Sequence, residues 1–543
     1  MDSNIAGDST PTSFRFVDST AASGVNAIYQ NGEESQSHSI VESLGGGIGL
    51  LDFDLDGRWD LFFPGGGTLT AGQPLPGLPL SVWRNAGDCR FVDVSKKFAQ
   101  TEPEYYSHGC AAADVDNDGF SDVLITGYGG LQFFRNQGDG TFLECAEWAG
   151  LIDLSWSTSA AWGDFDQDGD LDLYIAHYVD WSWDKNPKCP TTTAGIFDVC
   201  APSDFNPLPD TMFFNNGDGT FRGQSVEGSQ SGKGLGVMTL DLNDDSQLDI
   251  YVANDTTTNF LFVNDGTGNF QDIGLISGAG VDGNGTANGS MGLATLDFDG
   301  NLLPDLWVTN YENESYALYE NSGNASFLWA TERAGLNALG KLFVGFGTIA
   351  ADLDIDGDED IVVANGHIML HPANSQTTQQ SVLLANTPAG NSRRLARQDL
   401  GEASYFSTYH RGRGVVFGDL DLDGDLDLVF SNTNEPAAIL RNETPAGGKL
   451  LCVKLIGTSS NRDAIGAKAI LHTNGQDYLR TVVGGGSYLS QGSYELVWGV
   501  PSLDAMTTLD ITWPDGKKQS LAIGKVATEG ADGFSARVVQ ATP

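Results

Sequence analysis

Nine residues, Asp419-Leu-Asp-Leu-Asp-Gly-Asp-Leu-Asp427, lead straight into the apolar run Leu428-Val-Phe-Ser-Asn432, and this device recurs along the whole chain. Carboxylates stand at positions 1, 3, 5 and 9 of the loop and a glycine at position 6. Alternate side chains of a tight loop converge on one point, so oxygen ligands at this spacing suit a hard cation. The glycine supplies the positive φ that the sharp turn requires. Further copies open at Asp52, Asp114, Asp164, Asp241, Asp297 and Asp352, making seven. A single copy could be an acidic turn with no ion, but seven favour metal. The expected ion is Ca2+, at up to seven sites.

The expected ligands follow from the spacing. They are Asp52, Asp54, Asp56 and Asp60; Asp114, Asp116, Asp118 and Asp122; Asp164, Asp166, Asp168 and Asp172; Asp241, Asn243, Asp245 and Asp249. The last three loops add Asp297, Asp299, Asn301 and Asp305; Asp352, Asp354, Asp356 and Asp360; Asp419, Asp421, Asp423 and Asp427. The fourth and fifth loops depart from the pattern. Ser246 and Leu302 replace the glycine, Asn243 and Asn301 replace carboxylates, and Gly300 reads as two places early. These two loops are expected to hold calcium least firmly.

What flanks the loops separates them from the helical calcium hand, which is closed by a glutamate at position 12. Here position 12 is never Glu, and the flanks read Leu171-Asp-Leu-Tyr-Ile-Ala, Leu248-Asp-Ile-Tyr-Val-Ala and Glu359-Asp-Ile-Val-Val-Ala. Short apolar runs rich in β-branched and aromatic residues are strands. A second marker follows each strand: Asn136-Gln-Gly-Asp-Gly-Thr-Phe142 and Asn215-Asn-Gly-Asp-Gly-Thr-Phe221 are the clearest copies. Asn85, Asn264 and Asn321 open looser ones, and Asn386 and Asn442 keep only the asparagine. This is hairpin chemistry.

Each period is therefore a four-stranded antiparallel unit, and successive loops start 62, 50, 77, 56, 55 and 67 residues apart. All-β periods of this size imply a propeller of seven blades. The last blade lacks a final strand of its own, and Phe14-Arg-Phe-Val-Asp-Ser-Thr20 resembles the missing one. Supplied from the N-terminus, it would remove a free edge. The expected organisation is a tail over 1–13, a seven-bladed propeller over 14–446 and a small β-sandwich-like domain over 447–543.

Asp and Glu total 72 against 28 Lys and Arg, a net charge of −44. Phosphates would be repelled, which argues against nucleic acid as a partner. No apolar run approaches a membrane span. Of six cysteines, Cys189 and Cys200 bracket a Thr- and Pro-rich insertion and are expected to form a disulfide, while the states of Cys89, Cys110, Cys145 and Cys452 stay open. A disulfide and calcium loops together suggest an extracellular or periplasmic protein whose leader has been removed.

Beyond residue 447, three stretches stand out: Asn461-Arg-Asp-Ala-Ile-Gly-Ala467, Gly484-Gly-Gly-Ser-Tyr-Leu-Ser-Gln491 and Trp513-Pro-Asp-Gly516. They resemble the signature of the ASPIC/UnbV domain, and the loops before them resemble the FG-GAP repeats of integrin α-subunits. Both together, in this order, resemble the family of cartilage acidic protein 1 and its bacterial homologues. The resemblance covers about residues 14 to 525. It implies secreted, acidic, calcium-binding proteins in interaction or matrix roles.

Five residues beyond the last aspartate of each loop come Gly65, Gly127, His177, Asn254, Asn310, Asn365 and Asn432. In a propeller these would ring one mouth of the central channel. The asparagines could simply satisfy turn backbone. Alternatively, His177, Tyr178, Asn254, Asp255, Asn310, Tyr311, Asn365, His367, Asn432 and Arg411 could form a ligand-binding rim. Motifs for hydrolases, zinc proteases or phosphate loops are absent. His177 and His367, with Asp255 or Glu435, are the candidates for acid–base catalysis. The leading expectation is a calcium-stabilised scaffold that binds protein or glycan. The alternative is a propeller enzyme, of alkylating or cyclising type, acting on a small molecule in the channel mouth.

Overall fold

The computed structural model describes residues 14–98, 105–226, 228, 231–337, 339–390, 392–529 and 534–541, so the expected tail over 1–13 lies outside the described residues. Helix is confined to single short turns, and strands carry the fold. No helix among the described residues is long and apolar enough to cross a membrane.

The loops and markers of the sequence organise seven antiparallel sheets of four strands, with sheet 4 gaining a short fifth strand from far along the chain. In sheet 2, for example, the strands are Tyr106–Ala113, Asp122–Tyr128, Gln132–Asn136 and Phe142–Glu144. The acidic loop joins the first strand to the second, its ninth residue opens the second strand, and the marker asparagine ends the third. Second strands such as Asp172–His177 are buried along their whole length, whereas outer strands such as Phe91–Asp93 bury only their first residue. A strand covered on both faces reads as a continuous apolar run, and one at a solvated edge does not. Sheet 7 takes its outer strand from the N-terminus: Phe16–Asp18 pairs antiparallel with the strand ending at Asn442, Phe16 opposite Asn442.

Apolar clusters join the sheets in order. Sheets 1 and 2 share Phe53, Phe62, Val82, Val123 and Phe134, and Phe98 stacks on Phe142 with ring centroids 4.0 Å apart. Other clusters join sheets 4 and 5, 5 and 6, and 6 and 7. Sheet 7 in turn shares Val416, Val429 and Ile439 with Leu50, Leu61 and Phe63 of sheet 1. The arrangement is propeller-like.

The C-terminal segment forms two further four-stranded sheets, one centred on Lys449–Ile456 and Phe534–Val539, the other on Lys468–Thr473 and Met506–Thr512. Leu451, Val453, Leu471, Trp498, Leu509 and Trp513 pack between them, in a cluster that continues into sheets 2, 3 and 4. The insertion in sheet 3 is pinned by a Cys189–Cys200 disulfide, with Cα atoms 5.3 Å apart.

Candidate functional site

Each acidic loop is wound by its own backbone. The position-1 carboxylate accepts from the amides of positions 5 and 6; Asp52 takes Asp56 N and Gly57 N, both at 3.0 Å, and Asp164, Asp352 and Asp419 repeat this. The position-9 carboxylate spans the sheet. Asp60 Oδ1 accepts from Asn85 N at 2.7 Å and Oδ2 from Phe53 N at 3.3 Å, and Asp172, Asp249, Asp305, Asp360 and Asp427 do likewise. The marker asparagines are therefore tied to the last carboxylate of their own loop.

Those hydrogen bonds leave the loops with inward oxygens to spare. Within each of three loops, Asp52, Asp54 and Asp60, then Asp114, Asp116 and Asp118, then Asp164, Asp166 and Asp172, one oxygen per residue lies within 4.8 Å of the others. Oδ1 of Asp54, Asp116, Asp166 and Asp421, all at position 3, is buried without a hydrogen-bond partner, as is Oδ1 of Asp114 and Asp297 at position 1. A buried carboxylate oxygen with no donor is unfavourable unless a cation meets it. Burial, and then the neighbouring carboxylates, push Asp164 and Asp419 up to about 7 and Asp352 to about 8. The donor set, all oxygen and short of hydrogen, fits a hard divalent ion.

The turns explain the irregular loops. Position 6 has positive φ whether it is Gly57 (82°), Ser246 (65°) or Leu302 (63°). Position 4 is left-handed as well in all seven loops, at Leu55, Asn117, Gln167, Asp244, Gly300, Ile355 and Leu422. Gly300 is thus not a displaced position-6 glycine. It occupies a second left-handed position that the spacing argument overlooked.

Two sets of loop partners also escaped that argument. Arginines just before the marker asparagine pair with position-3 carboxylates: Arg84 Nε lies 2.7 Å from Asp54, and Arg135 pairs with Asp116. An Arg-Asn dipeptide, present in sheets 1, 2 and 7 at Arg84, Arg135 and Arg441, was the available signal. The C-terminal module contributes the second set. Asp463 accepts from Asp114 N at 2.6 Å, Arg462 Nε lies 3.3 Å from Asp114, Lys468 reaches Asp244 at 3.1 Å, and Gly499 N donates to Asp352 at 2.9 Å. The module lies on the face that carries the acidic loops.

From that face a segment of the module enters the middle of the sheets. Gly484 and Gly485 pair with Thr239 and Met238, and Gly486 N donates to Val237 O, all in sheet 4. Ser487 exchanges backbone bonds with Leu293 of sheet 5, and its hydroxyl donates to Val415 O of sheet 7 and accepts from Thr348 N of sheet 6. Leu489 binds Ser159 of sheet 3 and Cys110 N of sheet 2, and Gln491 pairs with Ile48 and Leu50 beside sheet 1. One segment contacts all seven sheets. The glycines permit the approach: a Cβ on Gly484 would lie 2.0 Å from Trp162 O. Tyr488, packed on Phe346, and Leu489 fill the centre.

Protein thus occupies the middle of the expected channel. Asp255 and Tyr311 of the rim candidates are half-buried and the others buried; protein groups engage most of their polar atoms, while Asn254 Oδ1 and Arg411 Nε have no hydrogen-bond partner. Asn254, Asn310, Asn365 and Asn432 donate to the carbonyls of Thr258, Ser315, Gln380 and Pro436, which is turn satisfaction. Tyr178 donates to Asp255 at 2.5 Å, and burial pushes Asp255 up to about 6. Arg411 is bound to Glu33 at 2.6 Å. The catalytic candidates have separate partners. His177 lies between Pro209 O at 2.6 Å and Asp153 at 2.7 Å, His367 meets Glu312 and Tyr311, and Glu435 pairs with His410. Above them, Asp198 of the disulfide insertion accepts from the amides of Leu370 and His371.

A family model described as FG-GAP-like repeat matches residues 52–125, 114–175 and 241–308, and one described as ASPIC and UnbV matches residues 457–529. Cartilage acidic protein 1 of Mus musculus is 24% identical over 515 residues, 88% of this chain and 71% of that protein. The Homo sapiens protein of that name is also 24% identical, with 87% and 69% covered. Among solved structures, an Agrocybe aegerita lectin that recognises non-reducing terminal N-acetylglucosamine aligns with a TM-score of 0.41 at 17% identity, over 72% of this chain and 87% of that one. YCF48 bound to D1 peptide aligns with a TM-score of 0.39 at 9% identity, over 80% and 96%.

Proposed function

We propose that this chain, which carries FG-GAP-like repeats and an ASPIC/UnbV domain and is related to cartilage acidic protein 1, is a calcium-stabilised, closed seven-bladed propeller that serves as an extracellular binding scaffold for protein or glycan. The observation that carries the calcium reading is the set of buried, partnerless Oδ1 atoms inside the acidic loops. Asp, Asn and backbone groups of each loop would hold the ion. When bound, it supplies the positive charge that the clustered carboxylates lack. Closure of the ring is supported by the core that sheets 7 and 1 share. An extracellular setting agrees with the disulfide.

The choice of binding over catalysis rests on the centre of the sheets. Tyr488 and Leu489 occupy it, and His177 and His367 are buried, which favours binding elsewhere over chemistry at these histidines. Recognition is left to the outside, where Trp148, Ile152 and Leu154 near sheet 2, and Leu275 and Ile276 after sheet 4, expose large apolar side chains. Grouped exposed apolar residues mark interaction surfaces. The test is an array of glycans and extracellular proteins, probed with and without EGTA. A partner retained in calcium and lost on chelation, or on Trp148→Ala with Leu154→Ser, is expected. Binding that ignores both changes would contradict the reading.

A further inference from the structure

The hairpin turn of sheet 1 reads Asn85-Ala-Gly-Asp-Cys-Arg-Phe91. At the place of Cys89 the turns of sheets 2, 3, 4 and 5 carry Gly140, Gly219, Gly268 and Ala325. The backbone there is left-handed in each, with φ of 50° at Cys89 and 76–83° at the three glycines. A side chain disfavours that conformation. Cys89 is nonetheless buried, and its sulfur reaches out of its own sheet.

The sulfur reaches the seventh acidic loop. Asn85 Nδ2 donates to Leu420 O at 2.8 Å, which seats the sheet 1 turn over the sheet 7 loop. Cys89 Sγ then donates to Asp427 Oδ2 at 3.7 Å. Sγ and one oxygen each of Asp421 and Asp427 lie within 4.8 Å of one another. The Asp421 side chain is 9% exposed, and its Oδ1 is buried with no hydrogen-bond partner. The thiol and an oxygen of each carboxylate thus come together between two sheets, with Arg441 Nε 4.0 Å from Asp421 Oδ2.

We propose that this loop, unlike the others, is a mixed sulfur and oxygen site for a thiophilic divalent cation such as Zn2+, ligated by Cys89 together with Asp421 and Asp427. The proposal rests on reading the acidic loops as cation sites, and adds that one of them has a different metal preference. All-oxygen loops suit hard ions, whereas a thiolate ligand shifts preference toward borderline and soft ones. On uptake the metal–sulfur bond forms as the thiol proton leaves to solvent. The ion would join sheets 1 and 7, the two ends of the chain's circuit.

Cd2+ is the probe, because cadmium thiolates have a sulfur-to-metal charge-transfer band in the ultraviolet, read as a difference spectrum. The full chain, stripped with chelator, is titrated with Cd2+ alone, and calcium stoichiometry is measured in parallel by equilibrium dialysis. Cys89→Gly is the variant of choice, since glycine suits the turn and should not harm folding; Cys89→Ser is the second. The expected result is a charge-transfer band that saturates at one equivalent in the parent and is lost in both variants, with calcium still bound at the oxygen loops. If calcium binds but no band forms, or if the band survives in Cys89→Gly, this proposal alone is overturned. If neither parent nor variant binds calcium, the reading of the loops as cation sites falls, and this proposal with it.

Discussion

The side-chain amide of Asn85 donates to the carbonyl of Leu420 at 2.8 Å across 335 residues of sequence. The same latch recurs between neighbouring sheets: Asn136 to Phe53 O, Asn215 to Val115 O, Asn264 to Phe165 O, Asn321 to Leu242 O and Asn442 to Leu353 O. Each of these six asparagines thus binds the acidic loop of its own sheet through its backbone and that of the preceding sheet through its side chain. In sheet 6, Asn386 instead accepts from Arg393 Nε.

Asn85→Ala should therefore weaken the join between sheets 1 and 7. The change leaves buried carbonyls without a donor, which costs about 1–3 kcal/mol. Thermal melts in calcium should show Asn85→Ala well below Asn386→Ala, which has no cross-sheet donor to lose. Equal losses would mean that the latch contributes nothing of its own.

Left-handed backbone at Ser246 and Leu302 predicts that both positions prefer glycine. A non-glycine residue there is disfavoured by about 1–2 kcal/mol. Ser246→Gly and Leu302→Gly should each raise the midpoint of denaturant unfolding and tighten calcium at the fourth and fifth loops. Lower midpoints in calcium would show that the side chains, exposed or not, do more than tolerate the turn.

The packing of the Gly484–Gln491 segment sets another expectation. Gly484→Ala places a methyl against Trp162 O and must displace the segment or sheet 3, whereas Gly475→Ala, with open space around it, should be silent. A loss of more than about 1 kcal/mol at Gly484 is expected. Proteolysis of both variants reads the difference, with faster cleavage expected for Gly484→Ala alone.

The seven loops, the hairpin markers, the N-terminal strand and the disulfide pair were legible because each is encoded locally, by residue type at fixed spacing. What fills the centre was not. The run Gly484-Gly-Gly486 announces close backbone approach, but nothing in its neighbourhood tells which surface it approaches. The surroundings of the rim were hidden for the same reason: spacing placed His177 and Asn365 at equivalent positions, but their burial depends on residues far away in sequence. Cys89 acts across sheets and Arg84 across strands of its own sheet, and position 4 of the loops carries no residue preference that would betray its φ.

His177 and Asp153 form a buried pair whose pH dependence has a definite sign. Burial opposes the imidazolium, yet the Asp153 contact outweighs it and raises the His177 pKa; burial likewise opposes the Asp153 charge, and His177 holds that carboxyl low. The raised histidine contributes stability below its unfolded value of about 6.5, lost as pH rises through its folded value; the lowered aspartate contributes above about 3.9, lost as pH falls through its own. Asp153→Asn should therefore destabilise most between about pH 4 and 6.5, by about 3 kcal/mol. Melts in calcium at pH 5.5 and 8.5 should show the deficit shrinking at the higher pH. A constant deficit would rule out a charged pair.

Calcium in the acidic loops is tested most directly by a melting curve with and without EGTA, followed by restoring calcium or magnesium. Binding to the folded chain stabilises it by about 2.7 kcal/mol per site at a hundredfold excess over Kd. Chelation should lower the melting temperature by far more than any single substitution above, with calcium restoring it and magnesium restoring it less well. A melting temperature unmoved by EGTA would reduce the loops to acidic turns and contradict the central claim.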